Sequence, residues 1–217
     1  MSITTETAEA ADTKQRLIEA AGEVFAARGF ADATVRDICH RAGANIAAIN
    51  YHFQGKERLY AAVLRHAYSV ALEKFPPTHG LPPNATPQQR LHSFIRAFLL
   101  RIFDDGRPAW FGKLISREIL EPTSALDELV TLSIRPQHDV LLSIIESISP
   151  GLSVEDSYMC LFSVVGQCLF YHHCRPVIER TPVASLYRVE RLDRLAEHIT
   201  LFSFEAIRAM KAGRVAP

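Results

Sequence analysis

The sequence has little that would suit it to a membrane, a metal or a covalent reaction. Its longest apolar run, residues 158–171, falls short of the roughly 20 residues a spanning helix needs and contains Gln167. The opening MSITTETAEAADTK has no charged-then-apolar leader pattern. Four cysteines, Cys39, Cys160, Cys168 and Cys174, show no paired zinc or redox spacing, so a reducing cytoplasm is the plain expectation. His172, His173 and Cys174 are adjacent, whereas metal pairs on a helix sit three or four apart; neither metal nor cofactor is expected. No G-x-S-x-G, glycine-rich phosphate loop or H-E-x-x-H occurs, which leaves an all-α enzyme without a catalytic constellation. Nor is there a surplus of charge: 24 Lys and Arg stand against 24 Asp and Glu in 217 residues. That balance excludes a broad electrostatic grip on nucleic acid, so any such binding must rest on local placement. No segment alternates apolar and polar residues at the period of a strand, and an all-α chain is the economical reading.

What is there is concentrated between residues 34 and 56. Thr34 and Asp37 form a capping pair that opens a helix, in which Val35, Ile38, Cys39 and Ala42 make one apolar stripe and leave Arg36, His40 and Arg41 outside. Gly43 is free to take positive φ and end it. Asn45 then caps a second helix whose inward residues are Ile49 and Phe53. Its outward residues are Ile46, Ala47, Ala48, Asn50, Tyr51 and His52, where a merely solvated helix would carry Glu and Lys. Small side chains let a helix enter the DNA major groove, and Tyr51, His52 and, a turn later, Lys56 can reach phosphates.

Around this stretch the chain divides into a polar lead-in over 1–11, expected to be disordered, a DNA-binding domain over 12–56, a bridging helix over 56–74, and a second domain over 75–217. Asp12 and Gln15 cap a first helix with Leu17, Ala20, Ala21, Val24 and Phe25 inward; Gly29 ends it and Phe30 fills the corner. Five prolines over 75–87 favour a constrained loop, after which Thr86, Pro87 and Gln89 restart a helix carrying Leu91, Phe94, Ile95, Phe98, Leu99 and Ile102. Helices follow over 110–120 and from a Ser124–Asp127 cap to about 148, the latter kinked or divided by Pro136. The last two span about 154–174 and 189–211. The first of these is apolar nearly all round, with Met159, Phe162, Gly166 and Leu169 among its residues. In the second, Leu192, Leu195, Ile199, Phe202 and Ala206 repeat at alternating three and four. Such a pair from each of two chains would form a four-helix dimer interface.

Phe94, Phe98, Trp110, Phe111, Leu114 and Phe170 are candidates to line a cavity, with Arg117, His138 and His173 as orienting polar groups, although each also suits plain packing. Arg117 and Glu118 point about 100° apart on a helix and do not pair with each other; either can be a surface charge, and an inward Arg117 would favour an anionic or carbonyl-bearing ligand.

The run AGANIAAINYHFQGKERLY resembles the recognition segment of tetracycline-repressor (TetR-type) transcription regulators. LISREILEPTSALDELV and IRPQHDVLLSII resemble the ligand domain of the CecR-type subgroup, so the likeness covers most of the chain. The resemblance implies an N-terminal three-helix helix-turn-helix domain and a larger helical domain for ligand binding and dimerisation. It implies further that Thr34, Arg36, Asn45, Ile46, Ala47, Ala48, Asn50, Tyr51, His52 and Lys56 face the operator. The chain departs from the family pattern at Asn50, where many members have Tyr, and at Ala47 and Ala48, where Gly and Thr are frequent; Asn can pair bidentately with adenine. The expectation is a homodimeric repressor on a palindromic operator, released by a small-molecule effector. The alternative keeps DNA binding but makes the C-terminal domain only a dimerisation or protein-docking module.

Overall fold

The computed structural model describes residues 2–78, 80–104, 110–182 and 191–211, with side chains from Ala10 onward except those of Phe111 and Lys211. Among the described residues there is no strand. The helices are α1 (Ser2–Asp32), α2 (Val35–Ala42), α3 (Ile46–Phe53), α4 (Lys56–Lys74), α5 (Pro87–Phe103), α6 (Phe111–Leu120), α7 (Leu126–Leu129), α8 (Arg135–Ile148), α9 (Val154–His173), α10 (Arg175–Ile178) and α11 (Leu192–Lys211). None of the described helices is long and apolar enough to cross a membrane.

The segment read as a disordered lead-in belongs to α1, which begins at Ser2. Its Glu and Ala residues are good helix formers, and a segment without an apolar period gives no amphipathic signal to announce it. Asp12 and Gln15 therefore lie inside the helix, where Asp12 pairs with Arg16 at 3.1 Å and Gln15 bonds Glu19 at 2.9 Å. Gly29 does break the regular helix, at φ 82° and ψ 172°.

The chain clusters into two units, Met1–Ala71 with Asp105–Ser133, and Leu72–Asp104 with Ile134–Pro217. The boundary read from sequence assigned everything after residue 75 to one domain, whereas the stretch around α6 and α7 packs with the first unit. The reason is steric. Trp110 lies so close over Gly22 of α1 that a Cβ there would meet its ring at 2.3 Å, and seven residues on in each segment the Arg117 guanidinium would meet a Cβ of Gly29 at 2.4 Å. Two side chains of one segment thus fill two gaps that α1 leaves by having no side chains.

Beneath them Glu118 is wholly buried, not a surface charge. Its carboxylate accepts bonds from the Thr123 amide at 2.9 Å, the Thr123 hydroxyl at 3.0 Å and the phenol of Tyr60 on α4. Thr123 also accepts the Ala125 amide, and α7 starts after Ala125 with no side-chain cap, so the cap expected from Ser124 is not formed. Burial, followed by the charge and hydrogen bond of Glu118, pushes the Tyr60 phenol well above its ordinary value of 10.0. A group whose folded value is raised stabilises the fold fully below its unfolded value and loses that contribution as pH climbs past it. Unfolding titrations should therefore show stability falling above about pH 10, a slope that Tyr60→Phe removes. An equal alkaline slope in both chains would place the effect elsewhere.

Pro136 divides its helix as expected: a π-helical turn, Val130–Ile134, separates α7 from α8. With no N–H to offer backwards, proline leaves the preceding turn wide. In the second unit α5, α8, α9 and α11 pack on one another around Leu91, Phe94, Ile95, Leu99, Leu141, Ile145, Leu161, Val164, Ala196 and Ile199. The Thr86–Gln89 capping box with Pro87 at the start of α5 is formed reciprocally.

Candidate nucleic-acid interface

Local chemistry builds this site. The Thr34 hydroxyl accepts the Asp37 amide at 3.1 Å and donates to the Asp37 carboxylate at 2.7 Å, which holds that carboxyl below its usual range. Arg28 braces the same carboxylate at 2.5 Å, tying the end of α1 to α2. Ile38, Cys39 and Ala42 are buried. Gly43 adopts the left-handed conformation, φ 60° and ψ 37°, and its amide closes α2. Two residues on, the Asn45 side-chain oxygen takes the Ala48 amide at 2.9 Å and starts α3. Gln54, at φ 61°, ends α3.

This framing leaves α3 anchored by Ile49, 0% exposed, and Phe53, 5% exposed, with its other face bare. Ile46 is 46% exposed and Tyr51 78% exposed; Ala47 and Asn50 are exposed, and Ala48 and His52 half-buried. Positions 46, 47, 50 and 51 stand three or four apart and form one surface. It carries no charged side chain. The Asn50 amide has no hydrogen-bond partner among the described residues, whereas that of Asn45 is committed to its cap.

The basic residues sort themselves around this face. Arg16, Arg28 and Arg41 pair with Asp12, Asp37 and Glu23, while Arg36, exposed on α2, has no ion-pair partner among the described residues. Lys56 is less free than its sequence position suggests. Its ammonium donates to the Ala31 carbonyl at 3.2 Å and sits 4.6 Å over the Phe30 ring, holding the start of α4 against the end of α1. One bond leaves two of its three donors open.

The aromatic and polar residues expected to line an effector cavity fall in both units. Trp110, Leu114 and Arg117 belong to the first unit, Phe94, Phe98, His138, Phe170 and His173 to the second. Phe94 and Phe98 stack at 6.4 Å as core, His138 packs edge-on to Phe162, and Phe170 is 55% exposed. Phe111's side chain lies outside the described atoms. Sequence reasoning passed over a cleft of about 800 Å³ in the second unit, bordered by Phe75, Leu81, His92, Ala97, Leu100 and Leu201; its walls come from a loop, α5 and α11, with no shared period to mark them.

The seam expected for a dimer is only half available. Leu192, Leu195 and Ile199 are buried in the chain's own core, because the inward face of α11 runs through 192, 195, 196, 199, 203 and 207. Leu169 is half-buried. Met159, Phe162, Gly166, Phe202 and Ala206 are exposed, and Gln167, bonded to Ser203 at 3.0 Å, joins α9 to α11 behind them.

Comparison with known proteins agrees with the geometry. Residues 17–63 match the family model "Bacterial regulatory proteins, tetR family", and residues 87–207 match "HTH-type transcriptional dual regulator CecR, C-terminal domain". The HTH-type transcriptional dual regulator CecR of Shigella flexneri is 32% identical over 174 residues, 73% of this chain and 74% of that protein. The HTH-type transcriptional regulator SrpR of Pseudomonas putida is 42% identical over 74 residues, 34% of this chain, so that only 35% of that relative's length is spanned. A crystal structure of a TetR-like transcriptional regulator from Rhodococcus sp. RHA1 shares the fold, with a TM-score of 0.62 at 19% identity over 89% of this chain and 96% of that one.

Proposed function

The chain belongs to the TetR family of bacterial transcription regulators, with a C-terminal domain of the CecR type, and on that premise we propose that it is a cytoplasmic homodimeric repressor that grips a palindromic operator and lets go when a small molecule occupies its C-terminal domain. Members of this family and fold are regulators and not enzymes.

The observation that carries the proposal is the bare, uncharged outer surface of α3 between the Asn45 side-chain cap and the backbone cap at Gln54. Such a surface is poorly suited to water and well suited to a groove lined with base edges. Tyr51, His52, Arg36 and the remaining donors of Lys56 then take phosphates and fix the register. Lys56→Ala should weaken binding to every operator sequence about equally and lower the salt slope by about one, while Asn50→Ala should change which sequence is preferred. Equal loss on all sequences for the Asn50 variant, measured by mobility shift, would remove it from base readout.

Release requires an effector with different affinity for two arrangements of the recognition helices. Helix α4 runs from the first unit into the second and is the natural lever. The cleft of about 800 Å³ is the proposed effector site. A ligand present at a hundred times its dissociation constant should stabilise the chain by roughly 2.7 kcal/mol in thermal unfolding. One other reading makes the second unit only a dimerisation or protein-docking module, and the exposed Phe162, Phe202 and Ala206 favour it. Small-molecule libraries that leave unfolding and operator affinity unmoved would support it.

A further inference from the structure

The side chains that α3 leaves exposed form a short and one-sided chemical vocabulary. Its eight residues are IAAINYHF, with no Arg, Lys, Asp or Glu among them. In the major groove guanine is read by Arg or Lys on its O6 and N7, and cytosine by a carboxylate on its amino group. Neither reader is present. Ile46 and Ala47 instead offer apolar surface at the start of the helix, where base edges are met, and the group a base presents to such surface is the thymine methyl. The one polar reader on the same surface is Asn50, one turn on from Ile46 and three residues from Ala47, with both its oxygen and its amino group uncommitted among the described residues. An amide in that state matches the N6 and N7 of adenine. Asn45 cannot duplicate it, because its oxygen is spent on the Ala48 amide at 2.9 Å.

We infer that the base pairs under α3 are A·T pairs, with thymine methyls set against Ile46 and Ala47 and an adenine set against Asn50, and that any guanine the protein specifies is left to Arg36 on α2. This rests on the DNA-binding reading above.

The test begins with selection of bound duplexes from random DNA by the full-length protein. Within the enriched half-site each thymine is then replaced by uracil, which removes only the methyl, and each adenine by 7-deazaadenine, which removes only N7. Uracil at the thymines facing Ile46 should weaken binding about three- to fourfold per methyl in wild type and have no effect on Ile46→Ala. Deazaadenine at the key position should cost wild type about tenfold and Asn50→Ala nothing. Enrichment of G·C pairs under α3, or indifference to both replacements, would overturn the inference while leaving DNA binding intact. Failure to enrich any duplex would overturn DNA binding and the inference together.

Discussion

Replacing Phe162 and Phe202 together by Glu is expected to leave the chain monomeric at micromolar concentration and to lower its operator affinity by a hundredfold or more. Phe162 is 58% exposed on α9 and Phe202 65% exposed on α11. Single exposed apolar residues are ordinary. Here, however, Met159, Phe202, Ala206 and Met210 border one groove of about 260 Å³ between the two helices, and Phe162 stands exposed three residues on from Met159 on α9. A symmetric pairing of this face would hide four phenylalanines, each about half of a full burial, for roughly 3–6 kcal/mol in all. Micromolar to nanomolar dimers amount to about 8–12 kcal/mol, so the loss of that share, with four carboxylates left to desolvate, is decisive. Gly166 supplies a control that leaves the single chain untouched. A Cβ there meets nothing within 4 Å, so Gly166→Leu should gain helix propensity and still obstruct the close approach of a second copy. Light scattering would check both. A dimer that survives both changes would mean that copies associate through another face.

Gly22→Ala should be a strongly disruptive substitution for its size. On a helix interior the change ordinarily stabilises by about 1 kcal/mol. Here the added methyl would lie 2.3 Å from two ring carbons of Trp110, which is itself only 8% exposed. Overpacking of this kind costs about 1–3 kcal/mol even when neighbours shift, and here the indole would have to move toward the cleft it borders with His66, Val70 and Lys113. The expected result is a net loss of about 2 kcal/mol with Trp110 displaced toward solvent. Trp110 is the sole tryptophan, so a red shift of the fluorescence reports on this contact alone. Adding Trp110→Leu should recover much of the lost stability. A more stable Gly22→Ala chain with unshifted emission would contradict the packing.

The helix-turn-helix was legible because every device that makes it is local. Thr34 and Asn45 each accept the amide three residues on, Gly43 turns its own amide back to the last carbonyls of α2, and the inward positions Ile38, Ile49 and Phe53 follow from helical spacing. Contacts between distant segments were not legible. Nothing within WFGKLISREIL tells that Trp110 and Arg117 lie on α1, or that Glu118 is buried against Tyr60. A hint existed in Gly22 and Gly29, seven apart on α1, the spacing of two gaps on one helix face. The seam of α11 shows a different limit. Periodicity shows that Leu192, Leu195 and Ile199 belong to an apolar face, but the chain's own core and a second copy present the same apolar demand. Only the exposure of Phe202 and Ala206 separates the two.

The central claim is that the outer face of α3 enters duplex DNA as one half of a symmetric pair. Hydroxyl-radical footprinting of the full-length protein on a selected duplex tests it most directly. The account predicts two protected patches on one side of the helix, related by a dyad and centred about one turn, roughly 34–36 Å, or a small multiple of it apart, both lost with Tyr51→Ala. A single asymmetric patch, or protection unchanged by that substitution, would contradict it.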